Sequence, residues 1–305
     1  MAVKPFEYHS PESVEEALGL LERYGEDAKL YAGGTSLLFL MKEGLFSAEQ
    51  VVNLKRVSGL DRIELESEIG GSRVHIGAMA THRALEFSDL LKDKIPVIPE
   101  MESDLANVRV RNVGTLGGSL AFAEPQSDPP SLLMALGAEV SVAGPQGERV
   151  LDLDSLYVDY YETALDPLEM ITRISIPVPA GEVGCSYRKF CQRTASDKPT
   201  VCAAVRLALK AGVVDEVSIV LGAVAPTPVR AKRAEECVRG VRPENGGFSA
   251  ELLETAAQAA GEEINPQTDI YGSDWYKRDV ARALLKQGLA EAMAMAARPS
   301  EKESP

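Results

Sequence analysis

Along the chain, apolar positions switch repeatedly between helical and strand spacing. Val14, Ala17, Leu18 and Leu21 fall on one helical face, and Gly25 suits the C-terminal cap of that helix. Its start is open between Pro11 in a first turn and a capping box of Ser13 with Glu16. Residues 29–32 read as a strand that runs straight into Ala32-Gly33-Gly34-Thr35-Ser36. A short apolar helix then leads to Gly44, and residues 51–54 read as a second strand. The result is a β-α-β-like unit whose second helix is opened by a glycine loop.

Strands follow at 64–65 and 74–78, and Thr81 caps a helix running through Leu85 to Leu91. Residues 131–136 read as helix, 138–142 alternate as a strand, and Gly144-Pro145-Gln146-Gly147 is a turn. Residues 171–176 alternate again and close at Pro177-Val178-Pro179-Ala180-Gly181, a candidate domain boundary. Beyond it, 186–191, 201–210 and 217–225 read as three strands. Residues 231–238, 252–260 and 274–296 read as helices, which makes this second unit α+β. Residues 298–305 are polar and expected to be disordered.

Composition narrows the class. A chain of 305 residues, 45% hydrophobic and 26% charged, has room for two domains with cores of their own. Its longest apolar run, Ser36 to Met41, stops at Lys42, far short of the ~20 residues that cross a bilayer. The stretch Met1 to Glu7 lacks the apolar core of a signal peptide, so a cytoplasmic protein is expected. A net charge of −14 argues against nucleic acid as a partner. Cys185, Cys191, Cys202 and Cys237 form no C-x-x-C pair, and His9, His75 and His82 are scattered. No metal or iron–sulfur site is expected within this chain.

The candidate chemistry lies in two glycine loops. Asn112-Val113-Gly114-Thr115-Leu116-Gly117-Gly118-Ser119-Leu120 is followed by Ala123-Glu124-Pro125-Gln126-Ser127-Asp128, and the earlier loop has the same character. Two such loops point to a phosphate-bearing ligand held from both sides by backbone N–H groups. Neither fits G-x-G-x-x-G or G-x-x-x-x-G-K-[ST], so nicotinamide-dinucleotide and nucleoside-triphosphate readings are poor. Read alone, Gly33, Gly34, Gly117 and Gly118 could be turn glycines, and Asp128 could cap the helix that begins near Pro129. Lys189, Arg193 and Asp197 could be a surface ion-pair group, and Tyr187, Trp275 and Tyr276 core or interface aromatics.

In this order, the loops resemble the flavoprotein subunit of the molybdenum hydroxylases, the family of aerobic carbon monoxide dehydrogenase and xanthine dehydrogenase. The residues that carry the likeness are 32–38, Ile76-Gly77-Ala78-Met79, 111–120, Ser127-Asp128-Pro129-Pro130 and Ile174-Ser175-Ile176-Pro177. Lys189-Phe190, Arg193 and Asp197 complete the set. The resemblance spans roughly residues 3 to 290. It implies an α+β chain with a vanillyl-alcohol oxidase-type FAD-binding fold of two α+β subdomains, at 1–57 and 58–179. A carbon monoxide dehydrogenase flavoprotein-type C-terminal α+β domain would follow at 182–292, then a disordered tail at 293–305.

What the resemblance implies for the site is specific. Ala32, Gly33, Gly34, Thr35, Ser36 and Leu37, with Thr115, Gly117, Gly118 and Ser119, would cradle the pyrophosphate of FAD. Ser127 and Asp128 would bond the ribityl–phosphate region, Ile171 would pack on the cofactor, and Ala78 would lie near the adenosine. Lys189 would lie near the isoalloxazine and raise its potential. No catalytic acid or base is implied. Partner subunits, one large and one small, would carry molybdopterin cytosine dinucleotide and two [2Fe–2S] clusters, in a dimer of heterotrimers. Electrons would reach this FAD and leave to a nicotinamide, quinone or other acceptor.

The sequence departs from the family's usual pattern at several points. Thr35 stands where carbon monoxide dehydrogenases commonly carry histidine, and Ser119 replaces a frequent asparagine. Both stay small and polar, so the FAD expectation is unchanged. Residues 194–199 differ from the Asp-Ile-Ala of many relatives, which leaves substrate subfamily and acceptor contacts open. No cysteine-bearing insertion is present, against the 4-hydroxybenzoyl-CoA reductase type. The alternatives are a free-standing FAD-dependent reductase resembling enolpyruvyl-glucosamine reductase, for which no Ser/Glu catalytic pair stands out, and a non-enzymatic assembly partner.

Overall fold

The computed structural model describes residues 3–68, 71–244 and 246–298. At the N-terminus, strands Glu7–His9, Gln50–Asn53 and Ala28–Tyr31 form a parallel sheet with Gln50–Asn53 in the centre. Helix Val14–Tyr24 buries Ala17 and Leu21 in a core with Ala28 and Val52. Its start is the Ser13 cap, with half of the capping box. The Ser13 hydroxyl accepts from the Glu16 N–H, while the Glu16 carboxylate accepts from the N–H of Glu12, one residue before the cap. Strand Glu7–His9 was not expected, being three residues long and too short to show a period.

A five-stranded antiparallel sheet follows, ordered Ile63–Glu68, Gly71–Gly77, Met170–Pro177, Glu139–Gly144, Gly147–Asp152. Val74, Ile76, Val140, Val142, Ile174 and Ile176 alternate inward and meet Leu116, Leu120, Leu132 and Leu133 from helices Leu116–Phe122 and Asp128–Ala135. The helix expected from Thr81 to Leu91 is two helices, His82–Phe87 and Asp89–Lys94. Ser88 between them is extended, and its hydroxyl accepts from the Leu91 N–H, starting the second. Helix Val97–Ser103 was hidden by Pro96 and Pro99. Both prolines fall at or before the first turn, where a missing N–H costs nothing.

The C-terminal sheet is ordered Glu182–Phe190, Val201–Lys210, Val213–Gly222, Val229–Arg230, one short strand more than the three expected. Helix Asp274–Ala296 packs Leu285, Leu289 and Ala292 on it. That helix runs through residues 293–296, which were assigned to a disordered tail; residues 299–305 lie outside the described residues. Helix Asp128–Ala135 is wedged between the two larger sheets, and Ala204 and Val220 join the middle core. Gly222 makes this fit possible. A Cβ there would overlap Ser131 Oγ and stand 2.5 Å from Cys202 Sγ. Gly222→Ala is therefore expected to cost about 1–3 kcal/mol by overpacking. A urea midpoint equal to wild type would contradict this tight seat.

Candidate functional site

The two glycine loops meet backbone to backbone. A Cβ on Gly33 would overlap the Val113 carbonyl oxygen and lie 2.7 Å from Gly114 Cα. Gly34 adopts φ +74, and a Cβ there would strike the Tyr31 ring. Ala32 touches the second loop from its other side, since a Cβ on Gly118 would stand 3.4 Å from Ala32 Cβ. Thr35 is exposed, Ser36 precedes helix Leu37–Glu43, and Leu37 packs on the small core around Met41 and Val51.

The two loops use their amides differently. Leu116 N–H donates to Ala80 O at 3.0 Å, Gly117 N–H to Ala78 O at 2.9 Å and Ser119 N–H to Thr115 O at 2.9 Å. Gly118 N–H donates to Thr115 Oγ1, the helix N-cap, at 3.2 Å. No described acceptor within the chain takes the N–H groups of Gly33, Gly34, Thr35 or Ser36. The expected cradle of amides from both sides is thus uneven. The first loop presents free donors, while the second is a wall already tied down. Arg111 ties its near end, donating to Leu105 O and Ala106 O at 2.8 Å each and pairing with Glu86 at 2.9 Å.

From that wall a row of small polar groups runs across the molecule. Ser119 Oγ and Ser127 Oγ share a hydrogen bond of 3.1 Å. Next to Ser127, the buried Asp128 carboxylate accepts from Tyr187 Oη at 2.7 Å and pairs with Lys189 Nζ at 3.0 Å. Lys189 also donates to Asp104 O at 2.9 Å and Asp197 O at 3.4 Å. Asp128 therefore neither caps its helix nor stands free. Lys189 is not a surface group, whereas Arg193 and Asp197 do form an exposed ion pair at 3.0 Å. Burial pushes the Asp128 carboxyl up, and the Lys189 ammonium opposes that shift. Burial, then the neighbouring Asp128 charge, hold Tyr187 well above the usual phenol range. A neutral pair, not a bare cation, results.

Two clefts lie at the ends of this row. One, of 410 Å³, is lined by Lys55, Arg56, Met79, Asn112, Val113 and Thr115. The other, of 610 Å³, is lined by Met101, Asp104, Tyr187, Lys189, Phe190 and Cys191, among others. Ala78 and Ile171 are almost wholly buried, Ala78 directly under Gly117 and Ile171 in the core of the five-stranded sheet. Lys55 and Arg56 carry no motif of their own; only the fold brings them to the loop. Trp275, read as a core or interface aromatic, is largely exposed.

The first loop fits a pyrophosphate, offering amides with no acceptor among the described residues and the small hydroxyls of Thr35 and Ser36. Residues 4–179 match the family described as the FAD binding domain in molybdopterin dehydrogenase, and residues 186–292 the CO dehydrogenase flavoprotein C-terminal domain. The chain belongs to this family. It is 36% identical over 291 residues to the carbon monoxide dehydrogenase medium chain of Afipia carboxidovorans, covering 95% of this chain and 98% of that one. Its fold superposes with TM-score 0.91 on a chain of carbon monoxide dehydrogenase from Hydrogenophaga pseudoflava, 35% identical, over 97% of this chain and 100% of that one. Against quinoline 2-oxidoreductase from Pseudomonas putida 86 the TM-score is 0.87 at 31% identity, again over 97% of this chain and 100% of that one. The protein is an FAD-binding oxidoreductase subunit of the molybdenum hydroxylase type, and no described helix is long and apolar enough to cross a membrane.

Removing Lys189 strands a buried carboxylate. Lys189→Met is expected to cost about 3–5 kcal/mol at neutral pH, and adding Asp128→Asn should return most of it. The sign with pH follows from the raised Asp128. Without its cation the folded variant keeps the Asp128 proton to higher pH than the unfolded chain does. The deficit against wild type is then smallest in acid and grows as pH rises. Urea midpoints at a series of pH values read this out, and a deficit that is flat with pH would contradict it.

Proposed function

We propose that this chain passes electrons from [2Fe–2S] clusters of a small partner subunit, through its FAD, to an external acceptor such as a nicotinamide or a quinone. A large partner would hold molybdopterin cytosine dinucleotide, where the substrate is oxidised, and the assembly would be a dimer of heterotrimers. The observation that carries the reading is the seat of Gly33 on Val113 and Gly114, beside four first-loop amides that have no acceptor among the described residues. Support also comes from the medium-chain carbon monoxide dehydrogenases, whose length this chain matches almost completely.

When bound, FAD supplies exchange between one-electron and two-electron carriers. The chain's own residues hold and tune it. Gly33, Gly34, Thr35 and Ser36 would bond the pyrophosphate, with Ala32, Leu37, Thr115, Gly117 and Gly118 shaping the cradle. Ser119, Ser127 and Asp128 would line the path of the ribityl chain. Lys189, neutralised by Asp128, acts on the ring end as part of a dipole rather than as a full charge. Ala78 and Ile171 would support the site from the core. No side chain of this subunit needs to move a substrate proton.

The test is purification of the full chain alone and with its two partner subunits. The chain should bind one FAD, and the flavin absorbance should bleach on substrate addition only in the three-subunit complex. A yellow chain that turns over a substrate by itself would indicate the free-standing reductase. A colourless chain that still assembles would indicate a purely structural partner.

A further inference from the structure

His82 and Glu102 have no part in the reading above, yet they sit directly behind its second loop. Glu102 is fully buried and His82 nearly so. The two carboxylate oxygens lie 2.9 and 3.2 Å from His82 Nδ1. Burial pushes the Glu102 carboxyl up, and the facing His82 opposes this. Such a pair is costly to bury and contributes less than an apolar pair of the same size, so its usefulness lies in fixed geometry.

The geometry points at Gly114. With Nδ1 clamped, the other edge of the imidazole faces the loop. A Cβ on Gly114 would lie 3.0 Å from Val110 O, 3.1 Å from His82 Cδ2 and 3.7 Å from Nε2. The His82 backbone N–H donates to Gly114 O at 3.0 Å, and Thr81 bridges to Thr115. Gly114 in turn forms part of the seat on which Gly33 rests. We propose that His82 and Glu102 are positioning residues for the cofactor: they fix the Val113–Gly114 seat, and that seat aims the first loop's free amides. This rests on the FAD reading, since it concerns how that cradle is held.

The test titrates FAD into the full chain by flavin fluorescence, with hydrogen exchange followed on segments 30–38 and 74–90. Glu102→Ala is expected to weaken FAD roughly tenfold or more and to remove the FAD-induced protection of 30–38. Glu102→Gln keeps an acceptor for Nδ1–H, so it should stay within about threefold of wild type. Gly114→Ala, which presses on the ring and on Val110 O while leaving the pair intact, should also weaken FAD. Adding His82→Ala should then relieve part of that loss, a coupling that independent structural effects do not produce. A folded Glu102→Ala chain that binds FAD like wild type, or a Gly114→Ala effect indifferent to His82, would overturn the proposal. A wild-type chain that binds no FAD would overturn the functional reading as well, and is told apart by needing no variant.

Discussion

Between Gly33 and the Val113–Gly114 peptide there is no room for one methyl group, and the junction of the two glycine loops depends on that contact. Two segments far apart in sequence are pressed together at the backbone level, so neither loop can take its shape alone. The first loop belongs to the small parallel sheet and the second to the helical layer over the five-stranded sheet. Their junction is therefore also the point where two separate cores are registered against each other. Glycine is needed there for clearance more than for flexibility.

From this contact the division of labour follows. Donors that are already bonded cannot serve an anion, and the amides of 116–119 are bonded to Ala78, Ala80 and Thr115. What that loop contributes is rigidity, and what the first loop contributes is unpaired N–H groups. Polar side chains are then arranged behind and beside the cradle in buried pairs, Asp128 with Lys189 and Glu102 with His82. Each pair is desolvated, and each links different elements. In the proposed reading the cofactor is held by backbone amides and neutral pairs, which is compatible with a net charge of −14 around a doubly charged pyrophosphate.

Much of this was legible in the sequence where local pattern and tertiary role coincide. The strand Val201–Lys210 and the helix Asp274–Ala296 have the bounds that their alternation and their apolar stripe suggest. Both glycine loops stand out because doublets such as Gly33-Gly34 are hard to explain otherwise. Whatever depends on distant acceptors was not legible. Asp128 and Tyr187 are 59 positions apart, and nothing near Lys189 announces the carboxylate that neutralises it. Glu102 lies in a helix masked by prolines, so its pairing with His82 had no local signal. Nor could spacing reveal that the amides of Leu116 and Gly117 are already bonded, because their acceptors are Ala80 and Ala78.

The most direct test is the FAD content of Gly33→Ala beside Gly19→Ala, both made in the full chain. Gly19 lies in helix Val14–Tyr24 with open space where a Cβ would go, so its variant controls for a glycine-to-alanine change remote from the cradle. The loop junction predicts that Gly19→Ala purifies with one FAD, while Gly33→Ala folds, keeps a wild-type far-ultraviolet spectrum and carries no flavin. A Gly33→Ala chain that retains FAD with unchanged affinity would contradict the account.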